Sequence, residues 1–384
     1  MILEATFKTT LARLRHAVCA LGFLVSLAVL PAFGQQIHQL SYNGSNWTDQ
    51  NLNGGLAQSA ISAFFTTPND QFHVFCSGPA DGDLQQLFYN GSNWADLDLI
   101  PHGASLCPIC AMSGFSEANY QYVFYVGDDS DIHQMLYNNV GWADTDLTVA
   151  SGSLVYGQGG STIVAFTTSP ALHVYYAGSD SQVHQLFATN GNNWQDQDLT
   201  VLSGGPVENT IHGMAGFSIG NFQYVYYLDT DNHLHQLFYN NSSWSDEDLT
   251  VLTKTSPTNN FSNLSAFVIP GTKKMRVYFV SGSNDHIIQL ASTNNGKWSS
   301  TDLTKKSKGS APDDQIAAYP SASGGTVNVY YVAGHNVNRI YEPTATTWAN
   351  EDLTALTNGG VADTNHQLAG FSLQSDLYLY YAAD

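Results

Sequence analysis

One phrase of sequence recurs seven times along this 384-residue chain, and it constrains the fold more than any other feature. The tryptophans Trp47, Trp94, Trp142, Trp194, Trp244, Trp298 and Trp348 are spaced by 47, 48, 52, 50, 54 and 50 residues. Most follow a His-Gln-Leu-like run and precede Asp-Leu-Thr, as in Leu234-His235-Gln236-Leu237 … Trp244 … Asp248-Leu249-Thr250. A fixed period of this length marks supersecondary units that bury their faces by stacking on one another.

Each unit holds four short β signals: a run after the previous Asp-Leu-Thr, an aromatic run such as Leu172-His173-Val174-Tyr175-Tyr176, the His-Gln-Leu run, and a run starting at the tryptophan. Gly, Asn, Ser and Asp separate them, and helix is almost unsupported. Four antiparallel strands per repeat make a β-propeller blade. The ends also fit a ring. Residues 35–46 and 349–384 together make one repeat length, so 368–383 supply two strands and 37–52 the other two of a blade shared between termini. The expected fold is all-β, a seven-bladed β-propeller with four antiparallel strands per blade.

Composition narrows the function. The chain has 32 Asp and Glu against 12 Lys and Arg, a formal net charge of -20. Phosphate backbones are held by Lys and Arg, so nucleic acid is excluded as a partner. The cations are also unevenly placed. Lys8, Arg13 and Arg15 lie in the first 34 residues, residues 35–253 have none, and the rest lie between Lys254 and Arg339. Sites in the first four repeats are therefore left with aromatic stacking and neutral hydrogen bonding.

Residues 1–34 read as a secretory signal, with Lys8, Arg13 and Arg15 as a basic start, 17–30 as an apolar run, and Ala32-Phe33-Gly34 as the cleavage site. That run is short of the ~20 residues that span a bilayer. The expected domains are 1–34 as signal and 35–384 as one propeller, secreted or periplasmic, with no membrane insertion. Cys107-Pro108-Ile109-Cys110 has the spacing of redox or metal chemistry but no second pair and no nearby histidine pair. An export-compartment disulfide is expected, with Cys76 available to one of the two.

The recurring residues are the candidate site. Strands three and four register as a hairpin with Tyr137 opposite Trp142, Met135 opposite Asp144 and His133 opposite Asp146, all on one face. The ligand-binding candidates are the seven tryptophans with His133, His184, His235, Asp146, Asp198 and Asp248. Each tryptophan is either a packing anchor between blades or a platform for the apolar face of a sugar. Each His–Asp pair is either a structural tie between strands, the reading we favour, or a donor and acceptor for sugar hydroxyls. Some copies depart: Asn51 in the first, Ile287-Ile288 in the sixth, Asn338-Arg339-Ile340 in the seventh. If the His–Asp pair contacts ligand, those sites should be weak or empty. The Asp-rich turns lack a full calcium loop, and no metal or cofactor is expected.

These tandem repeats, ending in Trp-x-x-x-Asp-Leu-Thr and closed into seven blades, resemble the Photorhabdus-type seven-bladed propeller lectins, which bind fucose and related monosaccharides between blades. They resemble more weakly the fungal six-bladed fucose lectins, whose sites use an Arg with a Glu and an aromatic. By analogy they are similar to the Trp-Asp repeat scaffolds. The resemblance implies a non-catalytic lectin with glycans or glycoconjugates as partners and several weak interblade pockets acting through avidity. It leaves homo-oligomerisation open. The alternatives are a protein-interaction propeller with purely structural tryptophans, and a propeller glycosidase. Against the glycosidase, no blade carries an insertion or a unique carboxylate pair that breaks repeat symmetry.

Overall fold

The hairpin tips repeat one device. The side-chain Oδ1 of Asn43, Asn90, Asn138 and Asn240 accepts the N–H groups two and three residues further on. The next residue stands at positive φ: Gly44 at 86°, Gly91 at 92°, Asn139 at 69° and Asn241 at 72°. A turn closed by its own side chain and passing through the left-handed region selects Asn followed by Gly or Asn. It delivers a tryptophan to the head of the fourth strand.

The computed structural model describes residues 35–383 apart from 58–59, 67–70, 79–83, 100–102, 104–105, 107–110, 158–161, 190, 192, 209–212, 260–262, 294–295, 314, 323–325, 345–346 and 365–366. The segment read as a signal, and Cys107 and Cys110, lie outside these residues. The strands form seven antiparallel sheets of four. Blade 1 is Ala369–Leu373, Asp376–Ala383, Gln35–Tyr42 and Trp47–Ala57, so the two termini share it as expected. Blade 2 begins at Ile61–Thr66, blade 3 at Met112–Glu117, blade 4 at Ile163–Thr168, blade 5 at Ala215–Ile219, blade 6 at Ser265–Val268 and blade 7 at Ile316–Pro320. These first strands touch in blade order, and blade 7 returns to blade 1, which closes the ring.

Close approach around the axis explains an alternation in the sequence. Gly114 lies where an added Cβ would sit 2.9 Å from the Phe64 ring of the blade before it, and Gly216 where it would sit 3.1 Å from Phe166. Blades 2 and 4 therefore carry Ala-Phe where blades 3 and 5 carry Gly-Phe-Ser. Ser116 and Ser218 in turn donate their hydroxyls to the backbone carbonyls of Phe65 and Thr167 at 2.8 and 2.9 Å. Second-strand tyrosines and phenylalanines fill the space between sheets, with Tyr125, Tyr175, Tyr226, Tyr278 and Tyr330 fully buried.

The fold is nearly all strand, as expected, and helix among the described residues is confined to single turns. Asp-Leu-Thr opens a one-turn helix in five blades: Leu147–Ser151 (α1), Leu199–Ser203 (α2), Leu249–Thr253 (α3), Leu303–Ser307 (α4) and Leu353–Thr357 (α5). The motif supplies all three parts. Asp caps the helix, Leu is fully buried, and the Thr hydroxyl accepts the N–H that starts the third strand, at 2.8–2.9 Å in each. Helical periodicity cannot show in five residues, but the cap residue can. Cys76 is a free thiol packed between Ile37, Val74 and Leu87, not a disulfide partner. Burial pushes its pKa up to about 12, with the Asp96 charge adding to it.

Candidate functional site in the interblade grooves

Each tryptophan faces the blade before its own. Trp47, Trp94, Trp142, Trp194, Trp244 and Trp298 meet Tyr330, Tyr380, Phe75, Phe124, Tyr175 and Tyr226 edge to face, with centroids 5.7–6.3 Å apart. Trp348 packs on the cluster that holds Tyr278. Trp194 and Trp244 are 7% and 8% exposed, and the others are half-buried. The rings are therefore anchors between blades, and Trp47 and Trp244 also form one wall of an interblade cavity.

The hairpin register is the expected one, with His133, His184 and His235 opposite Asp146, Asp198 and Asp248. The expected face-to-face His–Asp contact is corrected. Each His Nδ1 instead bonds the carboxylate two residues earlier: Asp144 at 2.9 Å, Asp196 at 3.3 Å and Asp246 at 2.8 Å. A second-strand tyrosine donates to the same carboxylate, Tyr125 to Asp144 at 2.7 Å and Tyr227 to Asp246 at 3.1 Å. Asp146, Asp198 and Asp248 are drawn away by the unpaired N–H groups of Val149, Val201 and Val251, which they accept at 2.8–2.9 Å as helix caps.

The histidines bear this out electrostatically. Burial opposes the charge on His133, but hydrogen bonding and attraction to Asp144, with Asp129, outweigh it and hold its pKa at about 9. Asp129, His133 and Asp146, and likewise Asp180, His184 and Asp198, bring ligand atoms within 4.8 Å of one another. Their carboxylates already accept turn or cap N–H groups. The His end of the hairpin lies four residues from the Trp end, roughly 13 Å at 3.3 Å per residue. The candidate histidines and tryptophans therefore do not converge on one ligand.

The groove chemistry comes from the other face of the third strand, at the Gln of His-Gln-Leu. Between blades 4 and 5 a cavity of 480 Å³ is lined by His173, Gln185, Gln197 and Leu202 on one side and by Gln223, Tyr239 and Trp244 on the other. Gln185 donates to His173 Nδ1 at 2.8 Å and to Gln223 Oε1 at 2.9 Å, and Gln197 bonds Gln185. Burial lowers the His173 pKa to about 4, so this floor is uncharged at neutral pH.

Between blades 7 and 1 the same positions carry other groups. That cavity measures 500 Å³ and is lined by Arg339, Tyr341, Glu351 and Leu356 facing Tyr42 and Trp47. Arg339 stands where Gln185 does, and Glu351 where Gln197 does. Arg339 Nη1 donates to Glu351 Oε1 at 2.7 Å, and its Nε and Nη2 donate to Asn328 Oδ1 at 3.0 and 2.6 Å. The guanidinium carbon sits 4.1 Å from the Tyr341 ring centroid and 5.4 Å from that of Trp47. Trp47 Nε1 donates to Glu351 at 3.1 Å. Sequence reasoning missed Arg339 and Glu351 because it treated the seventh copy as degenerate. The signal was available: it is the one copy in which the Gln position is an Arg and the facing residue an acid.

The family described as fungal fucose-specific lectin matches residues 154–358, more than half of the chain and inclusive of Arg339 and Glu351. No curated protein matches the sequence. Among solved structures, the BP39L lectin from Burkholderia pseudomallei is 16% identical with a TM-score of 0.66, covering 82% of this chain and 88% of its own. The Aleuria aurantia lectin in complex with α-methyl-L-fucoside is 18% identical with a TM-score of 0.54, covering 76% and 93%. AofleA from Arthrobotrys oligospora is 12% identical with a TM-score of 0.55, covering 91% and 94%. At these identities the likeness is one of fold.

Proposed function

This chain belongs to the fungal fucose-specific lectin family, and on that premise we propose that it is a secreted, non-catalytic lectin for neutral monosaccharide termini such as fucose or galactose. The binding sites are interblade grooves, several per ring, and glycoconjugates are the partners. One observation carries the reading: the Arg339–Glu351 pair, seated on Asn328 and facing Trp47. A pyranose offers an apolar C–H face and a polar edge. Trp47 supplies the flat apolar wall. Arg339 supplies N–H donors in a fixed fork and Glu351 an acceptor, so adjacent hydroxyls exchange water for charge-assisted hydrogen bonds. Asn328 and Tyr341 hold the guanidinium in place before ligand arrives, which reduces the ordering cost of binding.

Titration calorimetry with methyl α-L-fucoside and methyl β-D-galactoside tests this. Saturable binding by the wild type is expected, with the site between blades 7 and 1 lost in Trp47→Ala as a lower stoichiometry. Absence of heat with any monosaccharide at millimolar concentration would overturn it. The second reading, a protein-interaction propeller, has its own observation: Val149, Val201, Leu202, Val251, Leu252 and Leu356 on the short helices are 49–71% exposed. Its mark would be partner capture that free sugar does not compete.

A further inference from the structure

The protein is acidic as a whole but not in blade 6. Lys273, Lys274, Arg276, Lys297, Lys305, Lys306 and Lys308 all belong to this blade and its helix α4, against Asp285 and Asp302 alone. That is seven of the nine cations found after residue 34. All six lysines are exposed. Among the described residues, none of the seven is in an ion pair.

Two of these cations stand at groove positions. Arg276 opposes Ala291 as His173 opposes Phe187 and Asn328 opposes Tyr341, so it takes the second-strand place facing the next blade. Lys306 is the fourth residue of its helix, the place held by Leu202 and Leu356 in the two grooves described above. The wall across from them is blade 7, with Trp348 packed against the blade 6 core. Arg276 Nη1 donates to the backbone carbonyls of Met275 at 2.9 Å and Ser292 at 3.3 Å, which fixes the side chain along the blade. Glu342 is the acid on the blade 7 side. Burial raises its pKa, while the charges of Arg276 and Lys306 pull the other way, so both cations are near enough to act on it.

We propose that the groove between blades 6 and 7 is a binding site for an acidic saccharide, one whose pyranose ring carries a carboxylate or a sulfate. The ring would lie on Trp348 as in a neutral site, and the anionic substituent would be met by Arg276 and Lys306. The exposed lysines of the blade give the site a positive local field. The acids on distant blades are screened beyond the ~8 Å Debye length of physiological salt. A saccharide is favoured over a general polyanion because the two groove cations stand beside an aromatic wall, and the remaining ring is acidic. This inference rests on the lectin reading and adds a second ligand class to it.

The test is a binding series on the full protein with sialyllactose, a sulfated methyl fucoside, lactose and methyl fucoside at two salt concentrations. At 50 mM salt at least one of the two acidic sugars is expected to bind at least tenfold more tightly than its neutral counterpart. That advantage should shrink at 500 mM. Lys306→Leu, which installs the residue of the two grooves described above at an exposed position, should lose most of the advantage, and Arg276→Gln/Lys306→Leu all of it. Thermal unfolding checks that each variant is folded, and Lys306→Leu carries the test if the double variant is not. If neutral sugars bind and acidic ones bind no better, this site is refuted and the lectin reading stands. If no sugar binds, both fall. A DNA duplex held as tightly as the acidic sugar would replace the saccharide site with non-specific polyanion capture.

Discussion

Replacing Arg339 probes the groove between blades 7 and 1 in two currencies, stability and affinity. The side chain is 7% exposed, bonds Asn328 and Glu351, and stacks on Tyr341. Arg339→Ala leaves Glu351 without its counter-charge. Removing one member of a buried pair costs about 3–5 kcal/mol. The Glu351 side chain keeps 22% exposure and the Trp47 N–H, which places the loss at the low end, about 3 kcal/mol. The double variant Arg339→Gln/Glu351→Gln is different. It rebuilds the Gln185–Gln197 pair that the fold already holds between blades 4 and 5, and should return to within about 1 kcal/mol of the wild type. Affinity should not return with it. Exchanging two charge-assisted hydrogen bonds to the sugar for neutral ones costs ~1.5–3 kcal/mol in total, about ten- to a hundredfold in Kd for methyl fucoside. Urea denaturation and calorimetric titration of the three proteins separate the two effects. A double variant that is stable and binds fucoside as the wild type does would refute the assignment of the charged pair to ligand.

Other outcomes follow from the same geometry. Gly216→Ala should destabilise by ~1–3 kcal/mol, because its Cβ would fall 2.9 Å from the backbone oxygen of Tyr224, and a urea midpoint measures it. Asp198→Ala should cost ~1 kcal/mol as a lost helix cap, read from a urea midpoint, while the His184 Nδ1 bond to Asp196 persists in the NMR spectrum. Stability should peak near pH 6.5–7. His73 and His173, lowered by burial to about 4, lose their contribution as pH falls below the unfolded value, by ~3 kcal/mol each at most. His133, held at about 9, contributes fully below the unfolded value and loses that contribution as pH rises through 9. A series of thermal midpoints from pH 4 to 9.5 shows both limbs or contradicts them.

The ring was legible because a propeller writes its architecture in period and turn chemistry. Tryptophan spacing gave seven blades, Gly, Asn, Ser and Asp between the β signals gave the turns, and residue counts at the two ends gave the shared blade. The hairpin register was also readable, since side chains alternate strictly along a strand. What alternation could not resolve was which of two carboxylates on one face the histidine would choose. His133 turns to Asp144 because Asp146 is claimed by the N–H of Val149, a demand that exists only once the chain enters α1. The short helix was invisible for the same reason: five residues carry no period. The groove residues escaped for a subtler cause. The residues that recur, His, Asp and Trp, report structure here. Arg339, Glu351, Arg276 and Lys306 are the departures from the repeat, and a ligand-specific group has no need to appear in every blade.

The most direct test of the account is a crystal structure of the protein grown with methyl α-L-fucoside. The sugar should lie between blades 7 and 1, its C–H face on the Trp47 ring and its hydroxyls within hydrogen-bond distance of Arg339 and Glu351. Fucoside bound instead against His133, His184 or His235, or excluded from every interblade groove at saturating concentration, would contradict it.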